Sequence, residues 1–376
     1  MNEHAPSDFP EWRPAHALAE GYPPRPHPPA GGIETGLEVR VVAIGNFDGA
    51  HRGHASVAAT ARALAEELAE ARGGARRTQA ESQPQNLGQA SPEGSPQVGS
   101  PRVGATRVLR ELQVLALTFA PHPRHFFQPD RPHFQLLAPA ARAHHLRRIG
   151  FDGMVVLPFT AEFAAMSPET FVEEVLVRRL AIDGVVVGED FHFGKARAGT
   201  PGMLVREGAR HGFAVRLVPP CRAEDGTIIS SSTIRKALGA GEITRANALL
   251  GYVYSVSGVV IHGEKRGRDL GYPTANMQLD ASCGLAHGIY AVRVRVEGKT
   301  HAGVASFGRR PHFDNGAPLL ETHVFDFSGD LYGHEIEVFF EAYLRGEAKF
   351  DSLDALIAQM DADSASARQL LHPKPR

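Results

Sequence analysis

The stretch "VVAIGNFDGAHRGH", Val41 to His54, decides how the first half of this chain is read. An apolar run ends at Gly45. A turn rich in glycine (Gly45, Gly49, Gly53) follows, and a helical pattern opens at His51. The first amides of a helix lack internal partners and carry partial positive charge, so strand, glycine turn and helix start together form an anion-binding arrangement. His51 and His54 stand three apart and share one face of that first turn. Their N–H groups suit a charge that develops on phosphate oxygens, and the glycines let the backbone approach closely. The same spacing also fits a helix start with two solvent-facing histidines.

Outward from this stretch, short apolar runs alternate with helical patterns. "VRVVAIG", "LQVLALTF", "DGMVVLP", "GVVVGE" and "FAVRLVP" read as buried parallel strands. "AARAHHLRRIG" and "PETFVEEVLVRRL" read as helices between them. That rhythm predicts an α/β doubly wound sheet, which binds ligands at the carboxyl ends of its strands. After Leu250 the texture changes. "YSVSGVVIHG", "GIYAVRVRVEG", "KTHAGVASFG", "LLETHVFDF" and "HEIEVFFEAYL" predict an all-β, small antiparallel barrel, and "DSLDALIAQMDADSASARQLL" a C-terminal helix. The expected domains are 38–250 and 251–376. Residues 1–37 read as a disordered Pro-rich leader. Residues 73–105 read as a low-complexity insert, with too few large apolar residues to offset the entropy of ordering.

The chain of 376 residues is 43% hydrophobic, enough for two cores. Its 40 basic and 42 acidic residues leave a net charge of −2, which argues against a general nucleic-acid or membrane-surface partner. A small anion remains compatible, because backbone donors can hold one. Two cysteines, Cys221 and Cys283, do not make a disulfide framework, so a reducing, cytoplasmic setting is expected. No signal peptide and no membrane-spanning run are read. Self-association into a homo-oligomer is left open.

"GNFDGAHRGH" resembles the HxGH motif of the nucleotidyltransferase superfamily, with its GNFDG preamble similar to the bacterial bifunctional riboflavin kinase/FMN adenylyltransferase (FAD synthetase) family. Further segments follow in the family's order. They are "LTFAPHPRHFF", "VVGEDFHFGKARAG", "ISSSTIRKAL", "GRDLGYPTAN", "GIYAV", "LLETHVFDF" and "YLRGEAKFDSLDALIAQMDAD". Any one is weak; in order across both halves they are specific.

The resemblance implies phosphorylation of riboflavin to FMN in the C-terminal half and adenylylation of FMN to FAD in the N-terminal half, with ATP as co-substrate of both. Because the nucleophile of the second reaction is already a phosphate oxyanion, alignment and charge stabilisation suffice. Gly45, Asn46, Phe47, His51, His54, Ser230, Ser231, Ser232 and Arg235 would bind ATP there, Arg235 holding the leaving pyrophosphate. The serine run also fits plain helix capping. His122, Pro123 and Asp190 would line the flavin or nucleotide pocket. A rigid turn at His122 and a capping carboxylate at Asp190 are the alternatives. No third ligand is spaced with His122 and His125 for a metal.

In the second half, Thr274 and Asn276 face one way in an extended segment and suit Mg²⁺ bound with ATP phosphates. The family assigns them that role. Glu321 is the family-matched general base for the ribityl hydroxyl, unless it is a solvent-facing strand residue. Gly263, Lys265, Gly267, Gly271 and Pro273 would form a flap and ATP site, unless the loop is an ordinary charged hairpin, and Arg345 would contact flavin or phosphate, or simply end a strand as a surface charge. Ala50 and His312 depart from the family pattern in minor ways. A flavin- or nucleotide-binding regulator without turnover, or a protein with one active domain, is the rival reading.

Overall fold

The computed structural model describes residues 39–81, 112–131, 133–263, 271–309 and 318–372, with backbone alone at 73–81. Two compact units divide the described residues. The first holds the chain up to Gly45, 57–120 and 150–219; the second holds 46–56, 121–149 and 220 onward. The boundary expected at 250 therefore falls inside the second unit. The leader and residues 82–105 lie outside the described residues. Within the expected insert, helix α1 (Arg52–Glu81) continues through 73–81.

The first unit carries a five-stranded parallel sheet in the order β3-β2-β1-β4-β5. Its strands are β1 (Val39–Ile44), β2 (Leu112–Ala120), β3 (Gly153–Pro158), β4 (Gly184–Gly188) and β5 (Ala214–Val218). All six residues of β1 are buried, as the β-branched run requires of a central strand covered on both faces. Strand order reverses at β1, so the chain enters the glycine turn from the sheet's switch point. Gly184 has no room for a side chain, since a Cβ would lie 2.9 Å from Leu64 Cδ2 on α1. Helices α4 (Ala161–Ala164), α5 (Pro168–Thr170) and α6 (Pro201–His211) complete this unit. The stretch expected as one helix, "PETFVEEVLVRRL", starts as α5 but continues in wider π turns over Phe171–Arg179. Leu180 N bonds back to Val175 O, and Phe171, Val172, Val175 and Leu176 point into the core.

Besides the first turn of α1, the second unit holds α2 (Pro123–Phe127), α3 (Pro139–Arg148), α7 (Ser231–Gly239) and α8 (Ile243–Leu250). Its antiparallel sheet runs β6-β11-β8-β9-β10-β7. The strands are β6 (Ser255–Val259), β7 (Ala275–Gln278), β8 (Gly288–Val296), β9 (Lys299–Arg309), β10 (Pro318–Val324) and β11 (Glu335–Arg345). A bridge from Ile261 to Asn276 joins its two edges, which closes the expected barrel. Ile234, Leu238, Ile243, Leu249 and Leu250 share one core with Tyr290, Phe307 and Phe340 of the barrel. Asn247 of α8 donates to Phe340 O (2.9 Å) and accepts from Tyr254 N (2.8 Å). That shared core is why the unit boundary precedes 250. Helix α9 (Leu353–Leu371) ends the described chain, capped by Ser352 and packed on Ala291 and Phe325 through Ala367 and Leu371.

One buried charge network pins the parallel sheet. Arg40 on β1 donates its backbone N–H to Asp183 (2.8 Å) and its guanidinium to Leu180 O (2.6 Å). Asp183, also buried, pairs with Arg72 of α1. Removing one partner of such a buried network strands the other. Asp183→Ala is expected to cost about 3–5 kcal/mol, read as an earlier urea midpoint, with Asp183→Asn costing less.

Candidate active sites

The turn after β1 is built on unusual backbone. Phe47 and Ala50 are buried yet hold positive φ (49° and 36°), a conformation that costs L residues energy and persists only where surroundings impose it. Gly49 sits at φ 87°, and a Cβ there would lie 2.8 Å from Leu136 Cδ1. The imposing group is Asp48, 1% exposed. Its carboxylate accepts from the amides of Leu136 (2.9 Å) and Leu137 (3.3 Å) and pairs with Arg235 of α7. Its carbonyl accepts from Ser231 Oγ at 2.7 Å. Arg235 also donates to Phe134 O and approaches His133 Nε2 at 3.3 Å. Tyr252 donates its hydroxyl to Gly49 O (2.7 Å).

On this frame the rings of His51 and His54 stack, centroids 3.7 Å apart and planes 14° from parallel. Phe47 lies against His54 at 5.1 Å. Gly53 makes the stack possible, because a Cβ would meet the His51 ring at 3.1 Å. Burial, with a smaller contribution from Arg235, pushes the His51 pKa down to about 4. Burial, then His51 and Arg142, holds His54 well below its ordinary value. Both rings are therefore neutral near pH 7, each with one N–H to donate. Nδ1 of His51, Nδ1 of His54 and Nε of Arg142 are buried without a hydrogen-bond partner among the described residues. Three unmatched nitrogens in a cationic neighbourhood are what an anion would satisfy.

The residues expected here come together in part. Ser230 caps α7, accepting from Thr233 N at 3.2 Å; Ser231 ties down the turn, and Ser232 is exposed. His122 caps α2 and accepts from Arg124 N (3.1 Å), with Pro123 as the first helical residue. Its ring lies 4.5 Å from that of His133, and burial above all brings its pKa to about 4. Gly45 bonds to Leu117 O at 3.0 Å, and Asn46 is exposed. Asp190 is an exposed residue after β4, in the first unit. It is followed by Phe191, stacked on Phe193 at 5.5 Å. Sequence reasoning misses Asp48, His133 and Arg142. Asp48 stands inside the quoted motif, but its role rests on partners 88 and 187 residues away, which no local pattern signals.

The barrel carries a second site, a cavity of about 650 Å³. One transverse row crosses five strands: Arg345 opposite Ile289, Ile289 opposite Ser306, Ser306 opposite Glu321, Glu321 opposite Asn276. Directly opposed residues project to the same face. Arg345, Ile289, Ser306 and Glu321 line the cavity together with Thr274. Thr274 Oγ1 stands 3.5 Å from Asn276 Oδ1, two hard neutral oxygens of the kind Mg²⁺ accepts. A side chain at Gly263 would displace the Asn276 amide, so the glycine leaves that side chain its place. Gly271 takes φ 82°, and Pro273 O pairs with His323 Nδ1 at 2.9 Å. Lys265, Gly267 and His312 lie outside the described residues. Arg345 binds buried Asp363 of α9, with Nη2 to Oδ2 at 2.7 Å and Nε to Oδ1 at 3.0 Å. Gln359 supports the same carboxylate at 2.9 Å. The guanidinium thus joins helix to barrel at the cavity wall.

Two family models match the chain. FAD synthetase covers residues 34–72 and 104–233, and riboflavin kinase covers 250–371. The chain belongs to the bifunctional riboflavin kinase/FMN adenylyltransferase family. The curated relative from Listeria monocytogenes is 35% identical over 88% of this chain and 91% of its own length. That from Escherichia coli K12 is 33% identical over 88% and 92%. A crystal structure from Streptococcus pneumoniae, described as a macrolide-efflux protein, matches at 29% identity. Its TM-score is 0.70, over 90% of this chain and 95% of its own. No helix among the described residues is long and apolar enough to cross a membrane.

The histidine stack makes a direct prediction. In an imidazole NMR titration, His51 is expected to titrate near pH 4 and His54 to show no inflection near the ordinary value of about 6.5.

Proposed function

We propose that this chain makes FAD from riboflavin in two ATP-dependent steps, one at each site. The observation that carries the reading is one chain holding both a neutral histidine stack with unsatisfied nitrogens beside guanidinium groups and a barrel cavity with a carboxylate. Phosphoryl and adenylyl transfer need those two different provisions.

In the barrel cavity, Glu321 would accept the proton of riboflavin's terminal ribityl hydroxyl as its oxygen attacks the γ-phosphorus of ATP; FMN forms and ADP leaves. Thr274 and Asn276 would hold a divalent cation, Mg²⁺, which neutralises charge on the phosphates. Asn276 stands opposite Glu321 in the sheet, which supports cation and base acting on one phosphoryl group. The Arg345–Asp363 pair fixes α9 as part of the flavin-facing wall.

At the histidine site, a phosphate oxygen of FMN attacks the α-phosphorus of ATP and pyrophosphate leaves. No base is required. His51 and His54 would donate N–H bonds to oxygens whose negative charge grows in the transition state. Being neutral, they gain strength as that charge develops without attracting anions indiscriminately beforehand. Arg235 supports the frame through Nε and Nη2, bound to Phe134 O, Asp48 and His133, and its Nη1 would be left to hold the leaving pyrophosphate. The two cysteines are free, which fits a reducing cytoplasm.

The test follows riboflavin, FMN and FAD by chromatography in one reaction with ATP and Mg²⁺. His54→Ala should accumulate FMN, with FAD formation reduced about 10²–10³-fold. Glu321→Gln should reduce FMN formation about 10²–10⁴-fold and still convert supplied FMN to FAD. A wild-type protein that binds flavin and makes neither product would be a binding module.

A further inference from the structure

Arg142 lies outside every motif that marks the histidine site. It stands on α3 and is 8% exposed. A guanidinium removed from water is costly unless anions or acceptors surround it. Among the described residues its side chain makes one long hydrogen bond, Nη2 to Gln135 Oε1 at 3.4 Å, and its Nε has no partner. The nearby carboxylate, Asp48, is already committed to two amides and Arg235. The positive charge of Arg142 is felt by His54 and His122, and Arg142 in turn feels the negative charge of Asp48. Arg142 therefore stands within electrostatic reach of His54, on the helix that follows the segment clamped to Asp48 in the histidine turn. Helix α3 holds it there because Leu136 and Leu137, just before the helix, are fastened to Asp48.

We infer that Arg142 binds substrate phosphate at the histidine site, adding the permanent positive charge that the neutral His51–His54 pair lacks. This rests on the adenylyltransferase reading above for the identity of the substrate, but not for the presence of the anion site. Arg235 has Nε and Nη2 committed to Phe134 O, Asp48 and His133, which leaves only one of its nitrogens for such a contact. Arg142 has an unpartnered Nε and a weakly held Nη2, which is the fork that grips two phosphate oxygens at once. The phosphate could come from ATP or from FMN; the chemistry is the same, and kinetics separate them.

The test uses full-length wild type, Arg142→Gln and Arg142→Lys. FAD formation is measured against varied ATP and varied FMN, riboflavin phosphorylation is measured on the same preparations, and inorganic pyrophosphate is titrated by calorimetry. Arg142→Gln should lower kcat/KM for FAD formation about 10–100-fold, the worth of one or two charged hydrogen bonds, and weaken pyrophosphate binding. Riboflavin phosphorylation should be retained. Arg142→Lys should recover only part of the loss, since a point charge replaces a fork. A raised KM for ATP alone assigns the contact to ATP, and for FMN alone to the flavin phosphate. Wild-type kcat/KM and pyrophosphate affinity in Arg142→Gln would overturn the inference. So would parallel loss of both activities with a lowered Tm in both variants, which would make Arg142 a structural residue. A wild type that makes no FAD yet binds pyrophosphate through Arg142 would uphold the inference and sink the adenylyltransferase reading.

Discussion

The buried carboxylate of Asp48 is the constraint on which the histidine site depends. It gathers two amides from the segment before α3, the guanidinium of Arg235 on α7 and, through its carbonyl, the hydroxyl of Ser231. Segments far apart in sequence are thereby fixed around one turn. A single buried ion pair breaks even at best against an apolar substitute, but losing one partner leaves a charge stranded. Its value here is positional. It forces Phe47 and Ala50 into left-handed backbone, which brings the start of α1 round so that His51 and His54 stack face to face.

The stack has an electrostatic consequence. Burial and neighbouring guanidinium groups deny protons to the histidines, so the site keeps donors without fixed imidazolium charge. The barrel site works from the opposite principle. Its carboxylate and oxygen donors project from one row of an antiparallel sheet, where register alone sets which residues meet. A slip of one residue would turn Glu321 to the other face and separate it from Asn276. One chain thus holds a site shaped by long-range clamps and a site shaped by strand register.

That difference explains what is legible in the sequence. The parallel strands can be read because "VRVVAI" and "GVVVG" are apolar almost throughout, and the barrel strands because they alternate between glycine turns. Glu321 stands out as a carboxylate in an apolar run, and Asn276 through its two-residue spacing from Thr274 after a proline. The motif histidines are legible from spacing. Asp48, His133 and Arg142 are not, because each acts through residues distant in sequence. Ser230, a ligand by resemblance, also caps α7, the role serine fills by default. Arg345, by resemblance a flavin contact, has its partner Asp363 on a helix whose docking no local pattern encodes. The π turns at Phe171–Arg179 are equally silent, since their composition is that of an ordinary helix.

The most direct measurement is the ratio of the two reactions in Asp48→Asn. The substitution keeps shape and one acceptor but removes the charge that holds Arg235. If the clamp organises the histidine site, FAD formation from supplied FMN falls by at least about tenfold, by analogy with the loss of a buried ion-pair partner, while riboflavin phosphorylation continues. FAD formation at the wild-type rate in this variant would show that the histidines hold their geometry without the Asp48 charge, and would contradict the central role assigned to that carboxylate.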